Sequence, residues 1–431
     1  MRRKIIKRLR NIRKNKLENL FAIILSVIFI MLFCSIFYYL GIDWKILLNE
    51  ARKEILVAAC SIVITALVIC FIRRVILLVM NKIEDVIKLN PDYVELIQVY
   101  KNSRERFLKI RIDSKTINKF KLRRKSLSFF EGNNCVLPIE ILFYKSQDVR
   151  FIIIDRNRKY YQAPHNILYH YQENAQAHEY SNIYNSQLIR VDDFQQLENN
   201  NGLYLKTSRT TYFDSLATNR AADYIWSNGM SIRNIYTYRN QILPLRDMPL
   251  SNHLGVNGII RTKDGYIVGF YRDKTASIGK STYSISIGAA VQVSDAVDSR
   301  RCFTEHGLEH AINNVIHDEL NLSSDNYQFS IKDNIIAFYR DWVEMGKPQL
   351  LFYAKCLLKA EELRNIVEKR KRKTEKRILF FSEDDLRTAT ITADLITINT
   401  SKRKKKYYKV FPSTAAGVYM YFNEMRNKDI T

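Results

Sequence analysis

Two long apolar runs near the N-terminus dominate the hydropathy pattern of the chain. No charged residue lies between Glu18 and Asp43, a stretch of 24 positions, and none lies between Glu54 and Arg73, a stretch of 18. At about 1.5 Å per helical residue, each run reaches roughly 27 Å or more, which approaches the ~30 Å of a bilayer core. The pattern predicts a hairpin of two transmembrane helices, over 19–40 and 55–75, joined by an extracytoplasmic connector over 41–54.

The distribution of Lys and Arg predicts the orientation of this hairpin. Nine basic residues fall within the first 16 positions, whereas the connector carries only Lys45, Arg52 and Lys53. Because Lys and Arg concentrate in cytoplasmic segments, we expect 1–18 to be a basic cytoplasmic N-terminus and both chain termini to lie in the cytoplasm.

The pattern changes after the second apolar run. Residues 76–125 are predicted to be linker helices, including a connecting helix over Pro91–Ile112, and 126–249 form a β-rich region with a short helix at Asp192–Asn200. From 250 to 431, strand patterns at 253–261 and 266–272 flank a hairpin turn. An amphipathic helix is predicted over Glu305–Leu320 and a last helix from Pro412.

The net charge indicates the kind of partner, and the cysteine spacing indicates whether disulfides or a zinc site are present. The formal net charge is +24, which is typical of proteins with an anionic partner. Lys369–Arg377 and Lys402–Lys406 are interpreted as solvated faces or lipid contacts, and no motif for sequence-specific nucleic-acid binding is present. The six cysteines contain no CxxC pair, which indicates neither a disulfide framework nor a zinc site.

Four segments of the C-terminal part resemble a Nudix domain. They read LGVNGIIRTKDGYIVGFYRD from Leu254, SIGAAV from Ser286, AINNVIHDELNL from Ala311 and KPQLLFYAK from Lys347. The resemblance covers roughly 250–360, and the Nudix-like domain is taken to extend to 431. It implies a mixed sheet flanked by helices, so the predicted fold class is a membrane α-helical hairpin plus a cytoplasmic α+β Nudix-like domain.

The catalytic box of the Nudix family is degenerate in this sequence. The family pattern ends R-E-U-x-E-E-x-G-U, and the aligned residues place Asn314 and Val315 where the Arg-Glu pair belongs. Asp318 and Glu319 keep two of the carboxylates that hold Mg²⁺ in the family. We therefore expect a vestigial metal site, no required cofactor and doubtful enzyme activity, with Mg²⁺ binding left open.

A line of histidines runs along the same helix. His306, His310 and His317 recur at spacings of four and seven, so they share a helical flank. They form either a substitute metal site or a solvent-facing line, and the solvent-facing line is favoured.

Candidate ligand contacts come from two segments. Arg209 and Tyr212 lie in a polar, aromatic window that suits phosphate contacts and base stacking, although the same window also suits a loop that caps a helix. Arg272, Lys280 and Ser286 lie in the Nudix-like segment, and the two cations suit phosphate binding. Each cation could equally be an ion-paired or surface residue.

A two-span hairpin joined to a degenerate Nudix domain resembles the transmembrane Nudix effectors of CBASS, the bacterial anti-phage systems that signal through cyclic oligonucleotides. The resemblance implies a multi-pass protein of the bacterial inner membrane whose partners are the lipid bilayer, a cyclic oligonucleotide and further copies of itself. Ligand binding would trigger oligomerisation, membrane disruption and cell death. Two alternatives stay open: a membrane-anchored Nudix hydrolase acting on nucleoside diphosphate derivatives, and a membrane-anchored scaffold.

Overall fold

The computed structural model describes most of the chain from residue 88 onward. The described ranges are 88–123, 129–145, 148–168, 171, 185–197, 202–226, 229–273, 278–370, 376–399 and 405–430, with isolated positions between 61 and 72. The fold reported below belongs to the unit Glu84–Thr431.

The α-helices of these ranges are numbered in chain order. They are α1 (Tyr93–Val99), α2 (Ser114–Arg123), α3 (Tyr212–Ala217), α4 (Ile232–Tyr236), α5 (Val293–Ala296), α6 (Glu305–Leu320), α7 (Ile331–Asn334), α8 (Ala360–Arg370), α9 (Glu383–Arg387) and α10 (Pro412–Ile430). Short 3-10 helices span Arg104–Arg106, Asn219–Ala221, Leu245–Asp247 and Ser324–Asn326.

The strands are numbered in the same way. They are β1 (Phe107–Arg111), β2 (Phe129–Glu131), β3 (Asn134–Tyr144), β4 (Arg150–Tyr160), β5 (Gln187–Gln196), β6 (Gly202–Thr211), β7 (Gly255–Arg261), β8 (Tyr266–Arg272), β9 (Thr282–Ile285), β10 (Ile287–Ala290), β11 (Tyr327–Gln328), β12 (Ile335–Asp341), β13 (Lys347–Cys356), β14 (Lys376–Ser382), β15 (Thr390–Ile391), β16 (Leu395–Asn399) and β17 (Lys405–Lys409).

One large mixed sheet organises the unit. Its main path runs β1-β3-β12-β13-β7-β8-β14, and β2, β9, β10 and β11 pair at its sides. β13 and β7 are parallel, with Gln349 beside Gly255, and the other pairs are antiparallel. Strands from 107–144 therefore share a sheet with strands from 255–382. Two three-stranded sheets, β4-β6-β5 and β15-β16-β17, complete the β-structure of the described ranges.

Helix α6 packs on the sheet through the apolar stripe that its sequence predicts. Leu308, Ile312, Ile316 and Leu320 are buried in one core cluster. The Thr304 side chain accepts the backbone N–H of Gly307 and caps the helix N-terminus. The helix spans Glu305–Leu320, and this prediction is confirmed.

Two other element predictions are wrong. The connecting helix predicted over Pro91–Ile112 is only Tyr93–Val99, and Phe107–Arg111 instead forms strand β1 against β3. The helix predicted at Asp192–Asn200 is largely part of strand β5. Asp192, the first residue of the predicted helix, accepts a hydrogen bond from Ser208 on the neighbouring strand. In both segments, pairing with a distant strand overrides the local pattern.

The predicted membrane architecture is corrected. No helix in the described part of the chain is both long enough and apolar enough to cross a membrane. The longest of them, α10, has 19 residues but includes Glu424, Arg426, Lys428 and Asp429. This finding contradicts the predicted helical hairpin, its transmembrane character and the multi-pass location in the inner membrane. The fold class is corrected to α+β with a large mixed sheet. The hairpin prediction itself falls on 19–75, which lies outside the described residues except for isolated positions.

Candidate functional site

A polar cleft opens where β7, β9, β10 and β13 meet the start of α10. Its cavity volume is about 220 Å³. The residues Thr282–Ala290 form one wall, and Tyr212, Arg220, Arg272, Glu344 and Lys347 converge on it from four other segments. The described lining thus holds three cations and one carboxylate, which gives the cleft a net positive charge.

Tyr212 and Arg220 reach the cleft because a capped helix turns the chain after β6. The Thr211 side chain accepts the backbone N–H of Asp214, and Asp214 accepts the backbone N–H of Thr211 in return, which starts α3 in a capping box. The Arg220 guanidinium lies 5.0 Å from the centre of the Tyr212 ring and donates to its hydroxyl. This stack fixes the Arg220 side chain at the edge of the cleft.

A tight turn between β12 and β13 brings Glu344 and Lys347 together. Met345 and Gly346 both have positive φ, 53° and 75°, and the Gly346 N–H donates to the Asp341 carbonyl at 2.9 Å. The Lys347 ammonium donates to Glu344 Oε1 at 3.2 Å. Arg220 Nε donates to the other oxygen, Oε2, at 3.2 Å. Glu344 therefore holds both cations.

Burial and neighbouring charges shift the pKa values of the ionisable groups in this cluster. Burial acts to raise the pKa of Glu344, but Lys347 and Arg220 outweigh it and the pKa is lowered. Burial lowers the pKa of Lys347, although Glu344 opposes the effect. Burial also raises the pKa of the neighbouring Asp341 to about 7, with Glu344 adding to the rise. Asp341 Oδ2 is buried and accepts no hydrogen bond from the described residues.

Among the three cations that line the cleft, Arg272 is the one whose charge is least neutralised by opposite charges. It ends β8, and no described residue hydrogen-bonds or ion-pairs with its guanidinium. Burial lowers its pKa and the charge of Arg220 adds to this effect, while Glu319 and Glu344 oppose it from a distance. A half-buried guanidinium beside a second cation is an arrangement that an anion stabilises.

Helix α10 begins at the cleft. Phe411, Ser413 and Thr414 line the cavity, and the helix starts at Pro412. The N-terminus of a 19-residue helix carries a partial positive charge, and N–H groups at this end bind anions. The helix therefore adds to the positive potential that the three cations create.

The inner part of the cleft offers amide groups and aromatic rings. Asn257 Nδ2 donates to the Tyr339 hydroxyl at 2.8 Å and to Gln349 Oε1 at 3.1 Å. Tyr283 packs edge-on to Tyr408, with ring centroids 5.0 Å apart. Amides and aromatic rings are the groups that recognise nucleobases.

The structure brings three of the five predicted ligand residues into this cleft. Tyr212, Arg272 and Ser286 line it. Ser286 is committed to the sheet, because its hydroxyl donates to the Val268 carbonyl at 2.6 Å and accepts the Ile260 N–H at 2.8 Å. Lys280 is exposed and is not part of the lining.

The fifth residue, Arg209, is buried elsewhere. It donates to both oxygens of Asp155, at 2.7 and 2.6 Å, and to the Arg301 carbonyl at 3.0 Å. Three charged lining residues were missed by sequence reasoning: Arg220, Glu344 and Lys347. Arg220 lay in the polar window that suggested Tyr212. Lys347 begins one of the Nudix-like segments, but no motif there marks Glu344 or Lys347 as a ligand contact.

The predicted metal ligands lie on α6. Asp318 is exposed and Glu319 half-buried. Within the described ranges, no group of three or more His, Cys, Asp or Glu side chains is placed to hold a metal ion. His306, His310 and His317 lie along the helix, and His310 Nδ1 and His317 Nδ1 lie 2.7 and 3.0 Å from backbone carbonyl oxygens.

Comparisons with known proteins give structural similarities but no family. The sequence matches no protein family and no curated protein. Among solved structures, it is similar to the crystal structure of DR0079 from Deinococcus radiodurans, with 19% identity and a TM-score of 0.18. The similarity covers 25% of this chain and 57% of that one. At this TM-score the likeness carries no argument about fold or function.

Proposed function

We propose that this protein is a nucleotide sensor that binds a cyclic oligonucleotide in the cleft between β9, β10, β13 and α10. The proposal covers ligand recognition and the oligomerisation that follows it, and it contains no membrane step. The bound state would differ from the free state in its self-association, because a ligand shifts an equilibrium only through different affinities for the two states.

The observation that carries the proposal is the convergence of Arg220, Arg272 and Lys347 on one cavity. Their only carboxylate within the described lining is Glu344, which is shared between two of them. Placing these cations close together costs electrostatic energy. Binding of an anion between them lowers that cost. Phosphate suits this site, since arginine binds it in bidentate geometry.

The choice of a nucleotide over a simple phosphate rests on the rest of the lining. Tyr212, Tyr283 and Phe411 supply aromatic rings, and Asn257 and Gln349 supply amides. The Nudix-like segments, which the sequence shares with CBASS effectors by resemblance, favour a cyclic oligonucleotide within this class.

The test is a titration of the full chain with cyclic dinucleotides and trinucleotides, followed by calorimetry and thermal unfolding. Loss of one charge-assisted hydrogen bond costs about 1.5–3 kcal/mol, so Arg272→Gln should weaken binding roughly 10- to 100-fold. Arg246→Gln is the matched control, because Arg246 is exposed, with a side-chain exposure of 67%, and lies outside the cleft.

Three results would overturn the proposal. One is that no cyclic nucleotide of the panel raises the unfolding temperature, since a specific ligand must stabilise the folded state. Another is equal weakening by Arg272→Gln and Arg246→Gln, which would mean binding through net charge alone. The last is conversion of the ligand to nucleoside monophosphates by the purified protein with Mg²⁺, which would favour the hydrolase alternative.

A further inference from the structure

The small sheet β4-β6-β5 has one face that the core does not cover. Phe151, Val191 and Leu205 point into the core from its inner face. Its outer face carries Ile152 and Ile154, which are 50% and 46% exposed. Aliphatic side chains in the middle of a strand are usually packed against something, so this face needs an explanation.

The outer face can be defined by the strand pairing. Ile152 lies beside Tyr204 and then Gln195, and Ile154 lies beside Lys206 and then Asp193. Side chains that are neighbours across strands share a face of the sheet. Arg150 and Arg156 extend it along β4, since alternate residues of a strand point the same way. We call this set of residues the β4 face.

The charge of the β4 face is positive. On the β4 face, cations outnumber the acidic side chain Asp193. The cations are Arg150, Arg156 and Lys206, with Arg158 and Lys159 adjoining them. Burial lowers the pKa of Lys159, and the charges of Arg190 and Arg156 add to the effect. The face therefore complements a polyanion.

Its apolar centre also fits a specific kind of polyanion. The Tyr204 ring is half-buried, with the Lys206 ammonium 5.9 Å from its centre, and Tyr160 at the end of the strand is 54% exposed. An exposed sheet with aromatic and aliphatic side chains between cations is the arrangement on which unpaired bases stack while their phosphates meet Lys and Arg.

A second copy of the chain fits this edge poorly. β4 lies at the edge of its sheet, and edge strands are sites of pairing between chains. An antiparallel β4 pair that matches Ile152 with Ile154 would place Arg150 opposite Arg156 at both ends. Like charges directly opposite one another destabilise a strand pair, so this register of self-pairing is disfavoured, whereas the positive charge of the face favours an anionic partner.

We propose that the β4 face binds single-stranded nucleic acid without sequence specificity, as a site separate from the cleft. Arg156, Arg158 and Lys206 contact phosphates, and the bases lie over Tyr204, Ile152 and Ile154. The site does not depend on the cyclic-nucleotide proposal, because it shares no residue with the cleft.

The test measures fluorescence anisotropy of a labelled oligo(dT) titrated with the full-length protein. The double variant Arg156→Gln/Arg158→Gln should lower affinity about tenfold. Each phosphate contact contributes about 0.7 to the slope of log affinity against log salt for single strands, so the loss of two contacts should reduce the slope by about 1.4 between ~50 and ~200 mM salt. Tyr204→Leu should weaken binding by a similar factor through lost base stacking.

Two matched variants distinguish binding at the β4 face from binding through net charge and from binding in the cleft. Arg246→Gln/Lys355→Gln removes two exposed charges elsewhere and should leave affinity within about twofold. Arg272→Gln in the cleft should also leave it unchanged, so failure of one proposal does not imply failure of the other. Thermal unfolding of each variant checks that the sheet is intact.

Several outcomes would overturn the inference. They are absence of oligo(dT) binding at low salt, equal loss in the control double variant, and equal or tighter binding of a blunt duplex. Tighter association with phosphatidylserine-containing vesicles than with oligo(dT), lost in the Arg156→Gln/Arg158→Gln variant, would assign the face to anionic lipid instead.

Discussion

A substitution at Arg209 tests whether this cation is a buried structural residue or a ligand contact. The sequence suggested a ligand contact, whereas the structure pairs Arg209 with Asp155 in the interior, with side-chain exposures of 3% and 4%. The substitution Arg209→Met removes the guanidinium but keeps an unbranched, apolar side chain of similar length. It leaves the Asp155 carboxylate buried, with Thr207 and the Phe303 N–H as its remaining donors.

The expected cost follows from this geometry. Breaking a buried ion pair by removing one partner costs about 3–5 kcal/mol, because the other charge stays uncompensated. Such a loss should lower the unfolding temperature on the order of 5–10 °C and shift the urea midpoint without changing the slope. The double variant Arg209→Met/Asp155→Asn should be more stable than Arg209→Met alone, since the orphaned charge is gone.

Ligand binding provides the second readout. Arg209→Met, measured well below its unfolding temperature, should bind the cleft ligand as the unmodified protein does. The reasoning is refuted if Arg209→Met stays within about 1 kcal/mol of the unmodified protein, a loss too small for a broken buried pair. It is also refuted if the variant loses ligand affinity with its stability intact, which would make Arg209 the contact that the sequence predicted.

Two further predictions concern stability. Because the folded pKa of Asp341 is raised from 3.8 to about 7, the folded protein binds more protons than the unfolded chain between these values, so stability should fall as pH rises through this window and level off above it. Asp341→Asn should flatten this dependence in unfolding experiments across the pH range, and an unchanged slope would contradict the assignment. Gly307→Ala would place a Cβ 2.0 Å from the Ala296 carbonyl oxygen, so the urea midpoint should show a loss of about 1–3 kcal/mol from overpacking, despite the better helix propensity of Ala. A stability gain there would mean that α5 and α6 separate freely.

The sequence predicted those elements whose position is set by a short, local pattern of residues. The α6 stripe repeats at helical spacing, and the turn at Lys263–Gly265 lies between two strand patterns, so both emerged from the sequence. The end of α6 also follows from its local sequence. Asn321 ends α6 with φ of 58°, in the left-handed region, and Asn is the residue other than Gly that tolerates this conformation best.

The partners of charged residues were not predictable. Arg209 meets Asp155 across 54 positions of sequence, and Arg220 meets Glu344 across 124. Both arginines come from the same short segment and have the same chemistry. Only the pairing of β4 with β6, and the turn after β12, decides that one is a buried structural cation and the other a cleft residue. No local pattern carries this information.

A substitution at Glu319 distinguishes a nucleotide sensor from a hydrolase. Glu319 acts on the charge of Arg272 from α6, so this carboxylate lies within electrostatic range of the cleft. A hydrolase would need this group to hold Mg²⁺ against the phosphates. For a sensor, the same charge only offsets part of the positive potential. Glu319→Gln should therefore tighten nucleotide binding modestly, by about two- to fivefold, as expected from removal of one partly screened like charge near the ligand. A hydrolase would instead lose Mg²⁺-dependent turnover on this substitution, so one variant, assayed for affinity and for product, discriminates the two functions.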